Sequence, residues 1–194
     1  SLAGQVVGPG IVVDISRHMN RILEINAGER WVRVQPGVVL EELNKRLAAE
    51  GLFFGPETST ANRCTLAGML GNNACGLHSL RYGSTREHTL EVKTILSDGS
   101  KVVFKALSVD EFSDKCALDS LEGVIYRKIK EILSDEQTAQ EIRDEYPDPS
   151  VPRRNTGYAL DLLLQTSVFS SQGHDDLNLA KLIAGSEGTL AIIT

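Results

Sequence analysis

Residues 65–76 read Thr-Leu-Ala-Gly-Met-Leu-Gly-Asn-Asn-Ala-Cys-Gly. Gly68, Gly71 and Gly76 allow a main chain to approach a ligand closely or to turn through positive φ. Thr65 is placed to cap a short helix, and Asn72 and Asn73 add amide donors. A helix end and loop of this composition gather several N–H groups, which suits a diphosphate. A plain surface connection would use the same residue types, because glycine-rich loops are common. The pattern is not Gly-x-Gly-x-x-Gly, and no Gly-x-x-x-x-Gly-Lys occurs, so neither a Rossmann site nor a P-loop is supported.

The flanks of this stretch are more regular. Upstream, the β-branched run 11–15 reads as a strand, and 22–26 with 30–35 read as an antiparallel hairpin. In its second strand Val32 and Val34 face one way, and Trp31, Arg33 and Gln35 the other. Leu40, Leu43 and Leu47 mark the apolar stripe of a helix over 38–50. Glu41 and Lys45 form an i,i+4 pair in the favourable order, and Gly51 ends the helix. Residues 55–86 show little periodicity.

Downstream, Leu90, Val92, Thr94 and Leu96 line one face of a strand over 89–97. Asp98-Gly99 turns it into a second strand at 101–106. Ile125, Ile129, Ile132 and Leu133 predict a helix over 121–133, continuing as an exposed charged helix to 146. Pro147, Pro149 and Pro152 then open a loop over 147–156. Residues 177–184 are short and apolar, and 189–194 read as a last strand. Strands and helices mix without regular βαβ alternation, so the fold class is α+β.

The 194 residues carry 20 Lys and Arg against 26 Asp and Glu, a net charge of −6. That balance argues against a nucleic-acid partner. No apolar run reaches the length of about 20 residues that a transmembrane helix needs. Cys64, Cys75 and Cys116 form neither a disulfide framework nor a Cys-x-x-Cys pair. They read as free, buried or partly buried thiols in a reducing, cytoplasmic setting. Cys75 is better explained as a small packing residue than as a redox group. His18, His78, His88 and His174 lack ligand spacing, so no metal site is expected. Of these, His78 lies nearest the central loop, where a backbone hydrogen bond outweighs a functional role.

A second glycine-rich turn, Gly185-Ser186-Glu187-Gly188-Thr189-Leu190, precedes the last strand. With Gly71-Asn72-Asn73-Ala74-Cys75-Gly76, Leu80-Arg81-Tyr82-Gly83, Arg154-Asn155-Thr156-Gly157-Tyr158 and the opening Ser1-Leu2-Ala3-Gly4-Gln5, it forms an ordered set of motifs. This set resembles the FAD-linked oxidases and dehydrogenases with a vanillyl-alcohol-oxidase (p-cresol methylhydroxylase, PCMH-type) flavin domain. Glycolate oxidase flavin subunits, D-lactate dehydrogenases and D-2-hydroxyglutarate dehydrogenases are the similar members. The resemblance spans nearly the whole chain.

The resemblance implies that the chain is part of an FAD-binding domain. Its fold would be the second subdomain of the PCMH-type fold, a mixed or antiparallel sheet with flanking helices. Residues 1–194 would lack the first subdomain and the C-terminal substrate domain. It further implies that Ser1 and Gly4 lie near the diphosphate. Thr65, Gly68, Gly71, Asn72, Asn73 and Gly76 would line the diphosphate and flavin side, with Pro56 near the isoalloxazine. Glu187, Gly188 and Ile192 would hold the ribityl–adenine side. Ala191 departs from the glycine usual in relatives. No catalytic residue is expected in this chain, because relatives carry theirs further downstream.

The implied activity is oxidation of a small 2-hydroxy acid by hydride transfer to flavin N5, with electrons passed to a separate acceptor. The location implied is cytoplasmic, with peripheral membrane association as an alternative. By itself the chain is expected to retain FAD weakly and to be inactive. Two other readings stand beside this one: a non-catalytic nucleotide-binding module, and a piece that binds nothing. Arg153-Arg154 suits an acidic substrate or a solvated basic pair equally well.

Overall fold

The computed structural model describes residues 12–148, 150–151, 154 and 157–194. Two strands, β1 (Ile22–Asn26) and β2 (Trp31–Val34), form the expected antiparallel hairpin. Ile22, Ile25, Val32 and Val34 pack beneath it on Val38, Leu43 and Leu47. Trp31 and Arg33 face away and stack at 5.8 Å. Helix α1 (Leu40–Leu47) follows, extended by a 3₁₀ turn over Ala48–Glu50. Gly51, at φ 67°, ends it as its sequence position predicts. Helix α2 (Leu66–Asn72) and the one-turn α3 (Ser79–Tyr82) occupy the irregular stretch.

Strand β3 (Val92–Ile95) pairs with β4 (Lys101–Phe104) on one side and β7 (Ile192–Ile193) on the other, both antiparallel. A short ribbon pairs β5 (Ala106–Leu107) with β6 (Leu177–Asn178). Helices α4 (Val109–Ala117), α5 (Leu121–Ser134), α6 (Glu136–Glu145), α7 (Leu160–Leu164) and α8 (Ala180–Ile183) complete this half. Their apolar faces share one core with the strands, centred on Phe104, Phe112, Tyr126, Leu163 and Leu177. The mixture of helices and antiparallel strands is the α+β class expected.

Several local expectations fail for identifiable reasons. Residues 12–15 are not a strand. Asp14 turns the chain by accepting the Ser16 N–H and hydroxyl at 2.9 and 2.6 Å. β-branched content alone does not make a strand without a partner. Leu90 is 63% exposed, because β3 begins only at Val92. The helix expected to run through 146 breaks at Asp135, which caps α6 by accepting the Thr138 N–H at 2.8 Å. Helix α6 is not a wholly solvated face: it buries Ala139 and Ile142. The last strand shrinks to Ile192–Ile193 because Thr189 bonds back to Ser186.

Candidate functional site

Helix α2 is fixed at its start by main chain. Thr65 bridges Val39, and its hydroxyl accepts the Gly68 N–H at 3.3 Å. The N–H of Leu66 reaches Val38 O at 2.9 Å, and that of Ala67 reaches Pro36 O at 3.0 Å. A helix start normally leaves such donors open. Here they dock the helix onto the segment after β2. Thr65 and Gly68 therefore act on each other, and the start of α2 is not the open set of donors that its sequence suggests.

The other end of α2 meets the second glycine turn. Asn73 ends the helix in the left-handed region, at φ 50°. The carbonyls of Leu70 and Gly71 accept the N–H groups of Gly185 and Glu187, each at 2.9 Å, and that of Leu70 is shared with the Asn73 N–H at 3.0 Å. Asn72 Nδ2 donates to Glu187 Oε1 at 2.7 Å, across 115 residues of sequence. A Cβ on Gly71 would lie 3.7 Å from Glu187 Cα, an ordinary contact. A branched side chain there would press on the Glu187–Gly188 backbone. Gly71 and Asn72 thus meet Glu187 and Gly188, with Asn73 next to them in the chain.

Asn73 is fully buried and faces inward. Its Oδ1 accepts the Ser84 hydroxyl at 2.8 Å and the Arg86 N–H at 2.9 Å. Its Nδ2 has no partner among the described residues. Burial lowers the pKa of both Arg86 and Lys181, which lie beside this junction. Neither was singled out by sequence, since an isolated cation there has no pattern to mark it.

Gly76 joins a third segment to the site. A Cβ on it would fall 1.5 Å from Glu57 O, so only glycine permits this approach. Its N–H goes to Ser79 Oγ at 2.7 Å. Pro56 is fully buried beside Glu57, so it supports the loop and offers no open surface. A cleft of about 310 Å³ lies here, lined in part by Phe53, Phe54, Glu57 and His78. His78 Nδ1 lies 2.7 Å from Glu57 Oε2, and both side chains are more than half exposed.

The remaining candidates stand apart. Ser1 and Gly4 lie outside the described residues, as does Arg153. Ile192 is 47% exposed and sits on β7, paired with Ile95. Arg154 forms an ion pair with Asp161, so it is committed within the protein. No disulfide joins the three cysteines among the described residues, and all three are half-buried. Among the described residues no group of three or more His, Cys, Asp or Glu side chains could hold a metal ion. No helix among them is long and apolar enough to cross a membrane.

The 70–73 and 185–188 segments, distant in sequence, meet in one junction within an α+β domain. The family model for the FAD binding domain matches residues 1–105, and the chain belongs to that family. It is similar to D-2-hydroxyglutarate dehydrogenase of Pseudomonas putida, at 42% identity over 98% of this chain and 18% of that protein. The D-lactate dehydrogenase [cytochrome] of Kluyveromyces lactis mitochondria is 35% identical over 50% of the chain and 17% of its own length. The glycolate oxidase subunit GlcD of Bacillus subtilis is 34% identical over 46% and 19%. The chain thus spans less than a fifth of the length of the first of these relatives.

The described residues fit one wall of an FAD site. One buried amide donor, Asn73 Nδ2, is unspent among them, whereas the close approach at Gly76 is made to the Glu57 backbone. Anion donors at the start of α2 are not part of that wall, since protein carbonyls and Thr65 take them.

Proposed function

We propose that residues 1–194 form part of the FAD-binding domain, including its second subdomain, of a longer flavin-dependent dehydrogenase that oxidises a 2-hydroxy acid. The observation that carries this reading is the junction of the 70–73 and 185–188 segments. Two weak glycine motifs, distant in sequence, make one surface through three hydrogen bonds. The family match and the names of the relatives point to the same cofactor and reaction class.

Within this reading, Gly71, Asn72, Asn73 and Gly76 hold the flavin and diphosphate side, with Ser1 and Gly4 adding phosphate donors. Glu187 suits the ribityl or ribose side, because a carboxylate accepts from hydroxyls and repels a phosphate. Gly188 and Ile192 extend that side, and Pro56 stiffens the loop behind the ring. When bound, FAD supplies the hydride acceptor; the chain's own residues position it and exclude water. The groups that activate the substrate lie outside this chain, and a separate acceptor takes the electrons. The odd number and wide spacing of the cysteines suit a reducing, cytoplasmic location.

The full-length protein tests this directly. It is expected to purify with flavin absorbance that bleaches anaerobically on adding D-2-hydroxyglutarate, D-lactate or glycolate. A folded protein that binds no FAD would refute the cofactor. Bound FAD that none of these acids bleaches would refute the substrate class.

A further inference from the structure

The junction between the two glycine segments is small, the C-terminal end of α2 on one side and a turn on the other. What holds one against the other lies behind it. Arg86 is 3% exposed. Its Nη2 donates to Gly157 O at 2.5 Å and Ala184 O at 2.6 Å, and its Nε donates to Lys181 O at 3.0 Å. Lys181 Nζ answers from the other side, donating to Arg86 O at 2.8 Å, Thr89 O at 3.1 Å and Glu87 O at 3.4 Å. Each cation thus binds carbonyls of the other's segment.

Among the described residues the Arg86 Nε and Nη2 bond to carbonyls and to no carboxylate. Burying a charge this way costs much solvation. A hydrophobic side chain would fill the space without that cost, but it would not set the position of three carbonyls. The planar fork of Arg does this, and a Lys ammonium at the same place would not. Ala184 lies immediately before Gly185, and Lys181 four residues before it. A Cβ on Gly185 would lie 2.8 Å from Arg86 Nη2 and 2.8 Å from Gly157 O. The Arg86 N–H also bonds to Asn73 Oδ1. One residue therefore touches both sides of the junction, through Asn73 and through Ala184.

We propose that Arg86 is the positioning residue of the cofactor wall: its guanidinium, with Lys181 in support, sets the 185–188 turn against the 70–73 segment. This rests on the reading of that wall as an FAD site. Arg86 itself need not touch the cofactor. Its effect is to pre-order the 185–188 turn against the end of α2, which would otherwise have to happen on binding.

The test compares wild-type, Arg86→Lys and Arg86→Ala full-length proteins by amide hydrogen exchange without FAD and by FAD titration. In wild type, the Gly185 and Glu187 amides are expected to be protected. In Arg86→Lys they should lose protection while the β3–β4 amides keep it, and FAD affinity should fall about tenfold or more, the equivalent of one charge-assisted hydrogen bond. Millimolar guanidinium should restore both in Arg86→Ala and leave a Gly71→Val protein unchanged. Retained protection at Gly185 and Glu187 in Arg86→Lys would overturn the proposal, as would lost protection with unchanged FAD affinity. If Arg86→Ala does not fold, Arg86→Lys and the wild-type protection pattern decide the matter. A wild-type protein that binds no FAD would sink the cofactor reading alone, because the exchange comparison needs no FAD.

Discussion

Behind β3 and β4, Phe112, Tyr126, Leu163 and Leu177 are each no more than 2% exposed, and Phe112 sets its ring edge-to-face against Tyr126 and Phe169. At the junction of α2 with the 185–188 turn, the linking contacts are main-chain hydrogen bonds and one amide–carboxylate pair. The first region is held by area removed from water, which is large and indifferent to direction. The second is held by directional bonds between a helix end and a turn, which fix geometry while contributing little net stability. The comparison implies that stability and cofactor affinity can be damaged separately.

The largest effect should come from the apolar side. Phe112→Ala is expected to cost about 3–5 kcal/mol through lost burial and the cavity left behind. Chemical denaturation would read it, and a loss much below this range would mean that the core repacks easily. Next is Gly76→Ala on the polar side. Its Cβ must displace the Glu57 backbone. FAD affinity should fall at least about tenfold, with a smaller shift in denaturation midpoint than Phe112→Ala gives. Equal losses of stability in the two variants would erase the distinction between the regions.

How far each region can be read from sequence follows the same division. The hairpin β1–β2, helix α1 and helix α5 were legible because apolar residues at period 2 or at i, i+3, i+7 both signal and cause burial. Helix α4 was missed although Ser108 and Glu111 form a capping box, the signal that would have found it. Helix α7 is too short for a periodicity to register. At the site, the glycine motifs were visible, since close approach needs glycine. The commitment of Leu66, Ala67 and Gly68 N–H groups was not, because it depends on where Pro36 and Val38 lie in space. Arg86 carried no signal, since its partners are carbonyls, which every residue has.

Two smaller effects belong to the helical side. Ser108→Ala removes the cap of α4 and should cost about 1 kcal/mol. No change in stability would show the cap to be redundant with the packing of Phe112. Acidification gives the smallest effect. The Thr138 hydroxyl and N–H hold the Asp135 carboxyl below its ordinary range, and bonding to Ser108 does the same for Glu111. A depressed folded-state value means that their contribution is present above the unfolded value of about 4 and is lost as pH falls through the folded one. Amides at the starts of α4 and α6 should fray first in that window, corrected for intrinsic exchange. Simultaneous loss of protection in β3 and β4 would contradict this.

The central claim is that the 70–73 segment and the 185–188 turn form one FAD-binding surface. Gly71→Val tests it most directly, because the branched side chain presses on Glu187 and Gly188 while the apolar core is untouched. In the full-length protein the visible spectrum should show flavin lost, while far-ultraviolet circular dichroism and the denaturation midpoint stay close to wild type. Wild-type flavin content in a folded Gly71→Val protein would contradict the account.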